Sequence, residues 1–186
     1  MNDISAIARK VIANMLRIRK YELNEEEYNN CDEIYLTHKI GDPLDKIYVF
    51  FPQVTVKVGV FTIRQYIKEM QQNKVSRSII VVKDEVTAFA KVVFTEAKPA
   101  LLIEHFRENE LIIDKISHAL VPKHELLEET EKKELLKLYK IKDINLPKIN
   151  SNDPVSRYFG AKKGQVFKIT RPSETSGETI YYRIVV

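Results

Sequence analysis

The run Ser78-Ile79-Ile80-Val81-Val82 limits the fold more than any other stretch of the chain. It is mostly β-branched and has no polar member after Ser78, which predicts a strand buried on both faces; a half-buried strand would alternate. Such a strand needs cover on each side, and the neighbouring spacing supplies it. Ile63, Tyr66, Ile67 and Met70 recur at helical intervals and predict a helix over 62–73 with Thr62 at its cap. A further helix is expected from Thr87 to Glu96, stopped by Pro99. Upstream, Asp3 is expected to cap a helix reaching about Lys20, with Ile4, Ala8, Val11, Met15 and Ile18 as its buried stripe. Asn24 and Glu27 read as the two halves of a capping box. Strand-like runs at 34–40 and 47–51 flank the turn signal Gly41-Asp42-Pro43. Together these predict an α/β layer, helices over a small sheet.

After about residue 112 the texture changes. Leu111 to Ile116 reads as a strand, and Leu135, Leu136, Leu138 and Tyr139 mark the buried side of a helix within the charged stretch 125–142. Asp153-Pro154 puts a carboxylate at a helix cap and proline in the first turn, where its missing N–H costs nothing, and Gly160 closes that helix. Gln165 to Arg171 and Thr179 to Val185 alternate as strands, Phe167 and Ile169 sharing a face of the first and Ile180, Tyr182 and Ile184 sharing a face of the second. The expected fold is therefore an α/β domain over 1–112 followed by a small α+β domain over 113–186 with a C-terminal β-hairpin. A chain of 186 residues buries roughly 70% of its surface on folding, enough for a core without cross-links.

Charge and composition exclude several kinds of chemistry. Cys31 is the only cysteine, so no internal disulfide or multi-cysteine zinc site can form, and its acidic surroundings suit a nucleophile poorly. His38, His105, His118 and His124 show no metal-ligand spacing. No apolar run approaches the roughly 18 residues of a membrane helix, and the expectation is a soluble intracellular chain without membrane or small-molecule partners. Net charge is +4, but residues 1–114 carry 16 Lys/Arg against 17 Asp/Glu, and 115–186 carry 14 against 9. The basic cluster Arg9, Lys10, Arg17, Arg19 and Lys20 reads as compensation of a helix dipole, with phosphate binding as the alternative. Gly160-Ala161-Lys162-Lys163-Gly164 lacks a phosphate-loop pattern and reads as a helix cap followed by a turn. Asp45, a strand, then Thr55-Val56-Lys57 has the layout of a metal-dependent nuclease with threonine in place of the second acid, a poor Mg²⁺ site.

An ordered series of motifs carries a resemblance. Leu146-Pro147-Lys148-Ile149, Asp153-Pro154-Val155-Ser156-Arg157-Tyr158-Phe159-Gly160, Lys163-Gly164-Gln165-Val166, Arg171-Pro172-Ser173-Glu174-Thr175-Ser176-Gly177 and Tyr182-Arg183 closely resemble the C-terminal domain of the fifth small subunit shared by eukaryotic nuclear RNA polymerases I, II and III, a domain with a counterpart in archaeal RNA polymerase. Leu120-Val121-Pro122-Lys123-His124, Asp42-Pro43, Val49-Phe50-Phe51-Pro52, Val58-Gly59 and Ile79-Ile80-Val81-Val82 extend the likeness over essentially the whole chain.

The resemblance implies a non-catalytic polymerase subunit in the nucleus, and in the nucleolus if in polymerase I, without cofactors. Its C-terminal assembly domain would dock on the largest subunit beside neighbouring subunits. Its eukaryote-specific, nuclease-like N-terminal domain would form part of the lower jaw near downstream duplex DNA. The DNA-proximal loop maps onto Thr87-Ala88-Phe89-Ala90-Lys91, where Ala88 replaces the family's proline and Phe89 its serine. Glu178 stands where a basic residue is common. On residue type, Arg157, Arg171, Tyr181, Tyr182 and Arg183 are the candidate subunit contacts, with intramodule pairing to Asp153 or Glu174 as the alternative for the arginines. A free-standing DNA-processing enzyme and an independent DNA-binding module are the competing functions.

Overall fold

A computed structural model describes residues 3–53, 57–98, 100–173 and 177–186. The chain divides into two compact units, Met1–Ile113 and Asp114–Val186. Thr55 and Val56, Pro99, and Glu174 to Ser176 lie outside the described residues.

In unit 1 the β-branched run becomes β3 (Arg77–Val82), second from one edge of a four-stranded sheet ordered β1-β2-β3-β4. β1 (Ile34–Lys39) and β2 (Asp42–Phe50) pair antiparallel through the turn at Gly41, whose φ of +86° suits glycine. β2, β3 and β4 (Leu102–Arg107) run parallel, each connected by a helix: α3 (Val60–Gln72), then α4 (Ala88–Ala97). Right-handed crossovers stepping in one direction put both helices on one face. There Ile63, Tyr66 and Met70 of α3 and Ala90 and Phe94 of α4 join Phe50, Ile80 and Ile103 in one core, with Phe50 stacked on Tyr66 at 4.1 Å. The alternate strand residues Ile47, Val49, Ile79 and Val81 are equally buried and face the other side. The buried stripe of α1 (Asp3–Ile18) belongs to that side, because Arg19, just past the helix, pairs at 2.7 Å with Glu104, which shares a face with Ile79. α2 (Glu25–Asn30) docks beside it through Tyr28, whose ring meets Tyr35 edge-on and whose hydroxyl donates to the Arg9 carbonyl.

Unit 2 is a second four-stranded sheet, ordered β5-β7-β8-β6. β5 (Lys123–Leu126), β7 (Val166–Ser173) and β8 (Gly177–Val185) are antiparallel neighbours, and β6 (Lys148–Ile149) runs parallel to the end of β8. One face gathers Val166 and Ile184 with Leu135 of α5 (Glu129–Tyr139) and Leu146; the other gathers Phe167, Ile169 and Val185 with Ile149 and Phe159. α6 (Pro154–Phe159) begins as expected: Asp153 accepts from the Val155 N–H at 2.9 Å, and Gly160 ends it at φ +61°.

Several local expectations give way to particular contacts. The stripe of α1 runs through Ala8, Val11, Ile12, Met15 and Leu16, while Ile4 and Ile18 are exposed. Asn24 precedes α2 without a side-chain cap; its backbone N–H donates to the Tyr35 hydroxyl instead. α3 starts after Gly59, so Thr62 sits inside it. Leu111 to Ile116 is no strand: a 3₁₀ turn (Glu108–Leu111) buries Leu111 and leaves Ile112 and Ile113 exposed. On α5, Leu138 and Tyr139 are exposed and Lys132 is buried, its ammonium held by Asp143 at 2.8 Å and the Gly164 carbonyl at 2.9 Å.

Candidate nucleic-acid and subunit interfaces

In unit 1 the expected loop Thr87–Lys91 is the cap and first turn of α4. Thr87 accepts from the Ala90 N–H at 3.4 Å, and Ala88 takes the first helical position. Ala90 is buried, whereas Ala88, Phe89 and Lys91 are exposed. A parallel bridge, Val58 to Val86, ties the entries of α3 and α4 together, and its hydrogen bonds run from Val58 N–H to the Glu85 carbonyl and from Thr87 N–H to the Val58 carbonyl. Three residues beyond each bridge member stands an exposed phenylalanine, Phe61 at 75% and Phe89 at 78%. The two aromatics therefore hold matching positions at one end of the unit. Sequence reasoning missed Phe61; the repeated spacing Val58-x-x-Phe61 and Val86-x-x-Phe89 was the available signal.

Of the basic cluster, Arg17 stands in the last turn of α1, as dipole compensation expects, and three of its arginines also have partners within unit 1. Arg9 donates to the carbonyls of Cys31 at 3.0 Å and Asp32 at 3.1 Å, and its guanidinium lies 4.1 Å from the Phe51 ring centroid. Arg17 pairs with Glu25, and Arg19 with Glu104. These cations hold unit 1 together. Asp45 is likewise occupied: Arg77 at 3.7 Å and Lys39 at 3.9 Å flank its carboxylate, and the Tyr21 hydroxyl is 3.5 Å away. Burial pushes the Tyr21 hydroxyl up, with Arg77 opposing the shift. A carboxylate already neutralised by two cations is a weak ligand for a third.

In unit 2 the register separates the hairpin candidates. Tyr181 lies opposite Ile169 and Arg183 opposite Phe167, so both stand on the Phe167 face, and Arg171 joins them opposite Thr179. Tyr182 points to the other face, where it packs partly buried against the Leu135 cluster with its ring 6.2 Å from Tyr139. Tyr181, Arg171 and Arg183 are exposed, and neither arginine has an ion pair among the described residues. Asp153 is engaged as a helix cap, and Glu174 lies outside the described residues. Arg157 is half-buried in the last turn of α6. At the far edge, Lys123 donates to Glu125 at 2.6 Å and holds its carboxyl below the usual range.

Residues 113–185 match the family model described as RNA polymerase Rpb5, C-terminal domain. The chain is 42% identical, over the whole of both sequences, to a Dictyostelium discoideum protein named DNA-directed RNA polymerases I, II, and III subunit rpabc1. It is 48% identical to the Caenorhabditis elegans protein of that name, covering 88% of this chain and 77% of the relative. It is 36% identical to an Arabidopsis thaliana DNA-directed RNA polymerase subunit 5-like protein 1, covering 96% and 93%.

Proposed function

Because the chain belongs to the family of subunits shared by DNA-directed RNA polymerases I, II and III, we propose that it is a non-catalytic member of those assemblies, acting in the nucleus, and in the nucleolus with polymerase I. The end-to-end match to a relative named as such a subunit carries this reading. Unit 2 is the assembly module and docks on the largest subunit. Its exposed Arg171, Tyr181 and Arg183 support that role, being planar multi-donor and amphipathic groups of the kind that anchor interfaces. Arg157 and Tyr182 contribute from the rim.

Unit 1 is the jaw module, a nuclease-like α/β core that performs no reaction, and the clamped state of Asp45 supports this. It lies near downstream duplex DNA at the entry of α4, where Thr87, Ala88 and Phe89 set the surface and Lys91 reaches phosphate. One lysine supplies a glancing contact and not a grip. Affinity purification of a tagged copy from cells tests the reading. The largest subunits of all three polymerases should co-purify in stoichiometric amounts, and a chain recovered chiefly alone would overturn it.

A further inference from the structure

β8 is longer than the strand that covers it. β6 pairs only with Ile184 and Val185, through the Ile184 N–H to the Pro147 carbonyl at 2.8 Å and the Val186 N–H to the Ile149 carbonyl at 3.0 Å. The Val185 N–H, in contrast, points the other way, to the Gln165 carbonyl at 2.9 Å. In an antiparallel ladder this direction alternates, so Thr179, Tyr181 and Arg183 bond to β7, while the N–H and C=O groups of Glu178, Ile180 and Tyr182 face the outer edge. Upstream of β6 the chain turns away into a 3₁₀ turn (Asp143–Asn145) and leaves that edge uncovered within unit 2. An uncovered edge of this length is a template for another strand unless it is shielded.

The side chains beside it specify what would fit. On one face of the edge are Ile180, 49% exposed, and the partly exposed Tyr182 with Tyr139, with the exposed Glu178 at the start of the strand. On the other are Tyr181 and Arg183, with Arg171 one strand further in. A strand laid along β8 would present successive side chains to these two faces in turn, one apolar and one cationic. We propose that the outer edge of β8 at Glu178–Tyr182, with Ile180 and Tyr182 apolar on one face and Arg171 and Arg183 flanking the other, receives an extended segment of another polymerase subunit whose side chains alternate between apolar and acidic. This rests on the subunit reading and adds its mode of docking: strand addition, with backbone hydrogen bonds along the edge and charge-assisted contacts setting the register.

Residue-resolved amide hydrogen exchange on the full chain, free and in the purified polymerase, reads this out. In the free chain the Ile180 and Tyr182 amides exchange quickly while Tyr181 and Arg183 are protected by β7; in the assembly, 180 and 182 slow by at least about tenfold and the alternation disappears. Ile180→Pro removes one outward N–H and should lower retention in the assembly about tenfold, whereas Ile180→Ala lowers it less. Circular dichroism and the melting temperature of the free variants report any loss of fold separately. A chain that incorporates fully while 180 and 182 stay fast would overturn the strand-addition proposal and leave the subunit reading standing. Failure to incorporate at all would remove the subunit reading and this proposal with it. Protection at 180 and 182 that arises in the free chain as its concentration rises would make a second copy the occupant, and the proposal wrong.

Discussion

Unit 1 ties most of its arginines down, exposed Arg64 being the exception, and unit 2 leaves two of its own in reach. Arg9, Arg17, Arg19, Arg77 and Arg107 are all bonded to carbonyls or carboxylates within unit 1, whereas Arg171 and Arg183 stand exposed on one sheet face without an ion pair among the described residues. The cores differ in size. Unit 1 buries a mixed sheet on both faces, under α3 and α4 on one side and the α1 stripe on the other, and unit 2 divides its apolar residues between two small clusters on either side of β7 and β8. A cation count therefore says little about binding until the intramolecular partners are known. The more basic unit by sequence keeps Arg171 and Arg183 exposed and without an ion pair among the described residues.

The largest expected effects break each core in turn. Phe50→Ala in unit 1 and Phe167→Ala in unit 2 each remove a fully buried ring and should cost about 3–5 kcal/mol in urea denaturation. Lys132→Met sharpens the contrast, because this lysine works as a core group of unit 2. Losing its bonds to Asp143 and the Gly164 carbonyl should cost about 1–3 kcal/mol by the same measurement.

Alkaline pH should strain unit 1. Burial first of all holds the hydroxyls of Tyr21, Tyr28, Tyr48 and Tyr66 above the ordinary value of 10.0, and Glu33, accepting from Tyr66 at 2.8 Å, adds to the shift there. The unfolded chain then releases protons that the folded chain retains. Stability is fully present below about pH 10 and falls as pH rises above it, and Tyr28→Phe should flatten the fall in a melting series. Gly164→Val comes next. No atom lies within 4 Å of an added Cβ, so the cost is that of the backbone at φ +88°, about 1–2 kcal/mol. Lys91→Glu is the smallest on stability, with no measurable change in melting expected. Downstream DNA retention by the assembled polymerase should weaken and its salt slope fall by about one.

Much of this was legible in the sequence because particular residues leave one local option. The β-branched run had to be a covered strand, Asp153-Pro154 had to start a helix, and the alternation in 165–171 and 179–185 had to make strands. β4 was missed because Glu104 and His105 break its apolar pattern, and Glu104 is tolerated there only through Arg19, 85 positions away. The false strand at 111–116 has the opposite cause: Ile112 and Ile113 are apolar yet exposed, so the run had no core to face. At the candidate sites, residue type picked out Arg171, Tyr181 and Arg183, and alternation already set Tyr182 apart from Tyr181 and Arg183; only the register shows that Arg171 joins them on the Phe167 face. The uncovered edge of β8 leaves no mark in the sequence, since it depends on where β6 stops.

Charge reversal on the two units, compared in one reconstituted polymerase, bears on the division of labour most directly. With Arg171→Glu and Arg183→Glu together, incorporation of the chain beside the largest subunit should fall at least tenfold while its melting temperature holds. With Lys91→Glu, incorporation should stay at the parental level. Loss of incorporation with Lys91→Glu and its retention in the double arginine variant would contradict the assignment of assembly to unit 2.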